Sequence, residues 1–165
     1  MNATFLLPVD NVAKGFLEAA AECLGDRITL CFEHAFPIPD ALTLFGRHKS
    51  DNDYEPMRDT IEPHTELFYC PLTLDFAREL SRLAEAYDTS QIFWHVKGYD
   101  DQRIIFWIHD AYGESTAWLS GSIPAGQIEC LAARCGEELT AEDAAIDWNR
   151  TCRIKKSEDI SSNDR

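Results

Sequence analysis

Gln91-Ile-Phe-Trp-His-Val-Lys97, Arg103-Ile-Ile-Phe-Trp-Ile-His109 and Ser115-Thr-Ala-Trp-Leu-Ser120 follow one another with only short polar linkers between them. Each run is rich in β-branched and aromatic residues, and side chains on a strand alternate between two faces, so the three read as an antiparallel meander. The linkers 98–102 and 111–114 read as hairpin loops. Pairing Lys97 with Arg103 gathers Ile92, Trp94, Val96, Ile104, Phe106, Ile108, Ala117 and Leu119 on one face. A slip by one residue would mix the faces, so burial enforces this parity.

The opposite face carries Phe93, His95, Lys97, Ile105, Trp107, His109, Thr116 and Trp118. A solvated sheet face is largely polar, and this one is aromatic with polar edges. Either a second helical layer covers it, or it binds a partner through Phe93, Trp107 and Trp118 with His95 beside them, since aromatic anchors within a polar rim are the composition of interface hot spots. In this register His95 and His109 stand roughly four residue steps apart, on the order of 12 Å. That is too far to share one metal ion.

Outward from the meander, Phe76, Leu80, Leu83 and Tyr87 recur with helical spacing, with Asp75, Arg78, Glu79, Arg82 and Glu85 on the other side; this predicts a solvated amphipathic helix over 72–87. Upstream, a first helix is expected over 10–24, ended by Gly25. Strands are expected at 27–34, 41–45 and 66–70. Downstream, a helix runs from Ser122 to Cys135, stopped by Gly136. A last one opens at Thr140, where Asp143 completes an approximate capping box. The expected fold is α+β, a mainly antiparallel sheet with a three-strand meander packed by about four helices. A single domain spans 1–152, and 153–165 is a polar tail.

Residues 46–65 lack periodicity and contain Pro56 and Pro63. Between 51 and 66 the acids Asp51, Asp53, Glu55, Asp59, Glu62 and Glu66 face a single cation, Arg58. A loop this long within a compact domain is uncommon and often functional. The whole chain of 165 residues carries a net charge of −14. Nucleic acid and anionic membrane surfaces are therefore disfavoured partners, because both want clustered Lys and Arg. A basic protein is favoured, through electrostatic steering.

No apolar run approaches the ~20 residues of a membrane-spanning helix, and the first residues lack a basic region before a short apolar stretch. Cys23, Cys31, Cys130 and Cys135 sit within apolar stripes, as reduced cysteines do; a cytoplasmic protein is expected. Zinc-ligand spacings, phosphate-binding glycine loops and nucleophile elbows are absent from the sequence, so no cofactor and no metal are expected. His34, His48 and His64 flank the acidic stretch and could in principle pair with a cysteine as nucleophile and base, but nothing selects one pair. The reading that follows is a protein-binding inhibitor of the immunity type, neutralising a basic toxin or enzyme. It would use Asp51, Asp53, Glu55, Asp59 and Glu62 for charge, and Phe93, His95, Trp107 and Trp118 on the aromatic face. Two alternatives stand beside it: an acidic secretion chaperone, for which a homodimer is possible, and a small enzyme.

Overall fold

The computed structural model describes residues 3–52, 64–101, 103–143 and 146–148. Its strands are β1 (Thr4–Val9), β2 (Ile28–His34), β3 (Glu66–Pro71), β4 (His95–Asp100), β5 (Arg103–Ile108), β6 (Ser115–Ser120) and β7 (Thr140–Glu142). Its helices are α1 (Leu17–Leu24), α2 (Pro39–Arg47), α3 (Leu74–Ala86), α4 (Thr89–Ile92) and α5 (Ala125–Cys135). The strands form one sheet in the order β3-β2-β4-β5-β6-β1-β7, every pair antiparallel. The fold is α+β.

The meander is present, in a different register. Asp100 pairs with Arg103, so the β4–β5 turn holds two residues instead of five, and Asp101 takes the positive φ of 55° that a tight hairpin turn favours. Val96 therefore opposes Ile108 and Lys97 opposes Trp107, a shift of four residues from the expected pairing. Four is even, so most side chains keep their face. A β-bulge beside Gly98 and Tyr99 then changes the parity toward the turn. Ile105 packs into the helix-side core, and Ile104 joins Cys31, Tyr99 and Trp148 on the other face, the reverse of the expected assignment of those two isoleucines.

Gly98 is part of β4, not of a loop, and lies opposite Phe106. A Cβ built on Gly98 would come within 2.1 Å of the Phe106 ring. The ring thus occupies the space a side chain would fill, and it meets Phe16 edge-on at a centroid distance of 5.4 Å.

All five helices send their buried residues into one core with Leu30, Phe32, Val96, Phe106, Ile108, Ala117 and Leu119. Several elements differ from the sequence expectation. The first helix begins at 17, because Gly15 at φ +119° breaks the preceding π-type turn Val12–Phe16, which Asn11 caps through the Lys14 N–H. Residues 41–45 are helical rather than extended: Pro39 stands in the first turn of α2, where its missing N–H costs nothing, and Ala41, Leu44 and Phe45 bury one helical stripe. Residues 89–92 form α4, opened by a capping box at Asp88, so β4 starts only at 95. Thr140–Glu142 is a strand, not a helix start, because it pairs with Thr4–Leu6 at the open side of β1. β1 itself was not anticipated; its Pro8 lies past the end of β7, where a strand tolerates a missing donor. The expected tail 153–165 lies outside the described residues.

Cys23 and Cys130 form a disulfide that joins α1 to α5 across 107 residues of sequence, contrary to the expectation of reduced thiols. Each cysteine does lie on an apolar helical stripe, but the two stripes pack on each other and bring the Cα atoms to 5.8 Å.

Two stability measurements test this description. Gly98→Ala should lower the urea midpoint by an amount equivalent to about 1–3 kcal/mol, since the added methyl displaces a fully packed ring; an unchanged midpoint would refute the Phe106 contact. Replacing Cys23 and Cys130 by serine should cost about 2–4 kcal/mol through the released chain entropy of a long loop, and thiol titration of the denatured parent should find two fewer free thiols than its cysteine count.

Candidate functional site

Because the described helices share one face of the sheet, the other face has no described helix over it. Its residues follow from the strand register. Cys31 and Glu33 of β2 oppose Lys97 and His95 of β4. Lys97 opposes Trp107 of β5, and Trp107 opposes Trp118 of β6. Toward the β4–β5 turn this face is covered by Trp148, which is buried against Cys31, Tyr99 and Ile104 and donates its Nε1–H to Thr4 Oγ1 at 2.9 Å. Toward the opposite end lies a cluster of ionisable groups.

In that cluster the His95 and His109 rings stack at 4.1 Å with an interplanar angle of 23°. They stand directly across the β4–β5 ladder, the position expected beyond the Val96–Ile108 pair. The sequence-based separation of some 12 Å is therefore wrong, and the two-residue turn is the reason. Asp110 follows at once, with φ of +52°, a left-handed conformation that aspartate tolerates better than most residues. Its N–H donates to His95 Nδ1 at 2.9 Å. Its carboxylate reaches both rings, Oδ1 at 3.7 Å from His95 Nδ1 and Oδ2 at 3.1 Å from His109 Nδ1. His95 is buried, whereas the His109 and Asp110 side chains are 50% and 58% exposed. Trp107 meets the His109 ring edge-on at 6.0 Å and lies under the Lys97 ammonium, 5.2 Å from its centroid. The buried Trp107 Nε1–H has no acceptor among the described residues.

Two histidines at this end are held neutral. His34 Nε2–H donates to the Ser90 carbonyl at 2.7 Å, and its Nδ1 accepts the Phe36 N–H at 2.7 Å; both nitrogens are used only in the uncharged ring. Burial pushes its pKa below the usual histidine value, against the opposing pull of the Ser90 carbonyl. Burial likewise lowers His95, reinforced by His109 and more weakly by His34, and opposed by Glu33 and Asp110. Glu33 is buried and accepts the Thr65 hydroxyl at 2.7 Å.

Two of the thiols are held protonated. Burial raises Cys70 to about 12, and burial together with Glu137 raises Cys135 to about 11. Cys70 donates to the Phe45 carbonyl, and Cys31 is buried on the helix-free face. His48 pairs with Glu79 at 3.2 Å between α2 and α3.

Of the expected binding residues, Trp107 and Trp118 are half-buried neighbours on the helix-free face, and His95 is buried beside them. Phe93 is not on that face. It follows α4, is fully buried and packs on Phe32 at 4.9 Å in the helix-side core, so it cannot anchor a partner. Asp51 is exposed, one residue after Ser50, whose N–H donates to the Tyr69 carbonyl at the β3 edge. Asp53, Glu55, Asp59 and Glu62 lie outside the described residues. Sequence reasoning missed two exposed rings at the cluster's end of the sheet. Phe36 is 79% exposed just after β2, and Tyr112 is 44% exposed in the β5–β6 connection. The only hint was their position in loops between strands.

Comparison of the chain with protein-family models, with curated proteins and with solved structures finds no match in any of the three.

Stability should fall as pH drops below about 6.5, the ordinary histidine value. The unfolded chain takes up a proton on His34 before the folded one does, so protonation favours unfolding until the lowered folded pKa is passed. Urea midpoints measured from pH 8 to pH 5 should decline over that window, and His34→Gln should flatten part of the decline. An equally steep decline in the variant would contradict a neutral His34.

Proposed function

We propose that this protein is a binding protein of the inhibitor type, in the manner of an immunity protein, and that its partner is a basic protein. The reading rests above all on the aromatic end of the sheet. There the exposed Phe36 and Tyr112 stand in the loops beside the half-buried Trp94, and the half-buried Trp107 and Trp118 continue the set along the helix-free face. Rings of this kind bury large area at low entropic cost, and within a polar rim they are the usual anchors of an interface. The rim here is His109 and the carboxylate of Asp110.

Charge supports the choice of partner. Twenty-nine acidic residues against fifteen basic ones steer a cationic protein toward this chain and repel acidic ones. The raised thiols and the neutral, doubly hydrogen-bonded His34 favour binding over nucleophilic catalysis. Asp51, and with it the acidic stretch it opens, supplies charge in this reading.

Capture from the native cells on immobilised parent protein, compared with capture on Phe36→Ala/Tyr112→Ala, tests the proposal. The expected result is a retained protein of high isoelectric point whose binding weakens as salt is raised, and whose affinity for the double variant is about thirtyfold lower or worse, the scale of hot-spot loss. Both substitutions are at exposed rings, so the variant should keep the parent's urea midpoint. Equal binding by the folded double variant, or retention of acidic proteins only, would overturn the reading.

A further inference from the structure

We propose that His95, His109 and Asp110 form a binding site for a divalent transition-metal ion such as zinc. Their ligand atoms, one from each residue, all lie within 4.8 Å of one another. Two imidazoles and one carboxylate are a donor set suited to first-row transition ions, and too rich in nitrogen for calcium or magnesium.

The geometry bears directly on fit. A tetrahedral ion with bonds of about 2.0–2.1 Å sets its donor atoms roughly 3.3 Å apart. His109 Nδ1 lies 3.1 Å from Asp110 Oδ2 and His95 Nδ1 lies 3.7 Å from Oδ1, both near that value but to different oxygens, so the carboxylate must turn to offer one oxygen to the ion. The donors also come from rigid parts of the fold. His95 is the first residue of β4, and His109 directly follows the last residue of β5. The rings are held face to face at 4.1 Å, and Trp107 packs edge-on against His109. Asp110 is turned back toward both rings by its left-handed backbone.

Two adjustments accompany binding. The stacked rings must tilt, because imidazole lone pairs lie in the ring plane and parallel planes do not converge on one point. His95 Nδ1 must exchange the Asp110 N–H for the ion. That N–H now holds the His95 ring with Nδ1 toward the Asp110 carboxylate, so the ring is oriented before any ion arrives. The half-exposed His109 and Asp110 give the ion a path from solvent and leave its remaining position open to water. An open fourth position distinguishes such a centre from a closed structural one. Tyr112 donates its hydroxyl to Asp110 Oδ1 at 3.5 Å, so the site borders the exposed rings, but ion binding by the isolated chain does not depend on the protein-binding proposal.

The test uses the full chain, free of any affinity tag and treated with chelator, titrated with Zn2+ by calorimetry and with Co2+ by visible absorption. The expected result is one ion per chain, with Co2+ ligand-field bands of a four- or five-coordinate centre. His109→Ala should weaken binding by about a hundredfold or more, since loss of a direct ligand costs at least as much as the 10–100-fold lost with a supporting group. Asp110→Asn, which keeps a residue tolerant of the left-handed backbone, should weaken it several-fold. Both positions are half-exposed, so circular dichroism should show parent-like folding. Absence of binding up to millimolar Zn2+, or an ion bound equally tightly by both folded variants, would overturn the proposal; the latter would place the ion on other donors.

Discussion

The seat of Phe106 on Gly98 sets the geometry on which the rest of the sheet depends. With no Cβ at 98, the Phe106 ring fills the space a side chain would take and is fully buried in the core. Only the register that pairs 98 with 106 achieves this. The same register puts Lys97 against Trp107 and brings His95 to His109. One steric vacancy in β4 therefore decides which charged and aromatic groups become neighbours on the far face.

The two faces of the sheet are built on different principles. The helix side is a continuous apolar core in which Phe32 touches Phe45, Phe76 and Phe93. The other side buries Glu33, His95 and Lys97 among aromatic rings. Buried ionisable groups cost solvation free energy unless they are paired or neutral. Here Glu33 accepts from Thr65, Lys97 lies over Trp107, and His95 accepts the Asp110 N–H at Nδ1 while burial lowers its pKa. The pairing of such groups is what lets this face stay buried at its centre without an apolar core.

Much of this architecture was legible in the residues, and the failures have physical causes. The meander followed from alternation, and α3 from its 3.6-residue period. Ala41-Leu-Thr-Leu-Phe45 fits either period, and only the proline two residues earlier decides for a helix. Thr140–Asp143 carries a local helix signal that the unpaired side of β1 outcompetes. The face shared by His95 and His109 was readable from parity. Their distance was not, because it hinges on a turn length that the five residues 98–102 leave ambiguous. The disulfide and the exposure of Phe36 depend on which elements pack together, and no local pattern encodes that.

The position of β1 has a consequence for how the chain is made. Its partners on both sides, Ser115–Ser120 and Thr140–Glu142, are synthesised more than a hundred residues after it. While the polypeptide leaves the ribosome, the first strand has no neighbour to join, and Phe5, Leu6 and Leu7 must wait in an unpaired segment. Contacts so distant in sequence slow the search for the native state. The sheet is thus completed only after residue 142 has emerged, and β1 is among the last of its strands to find its place.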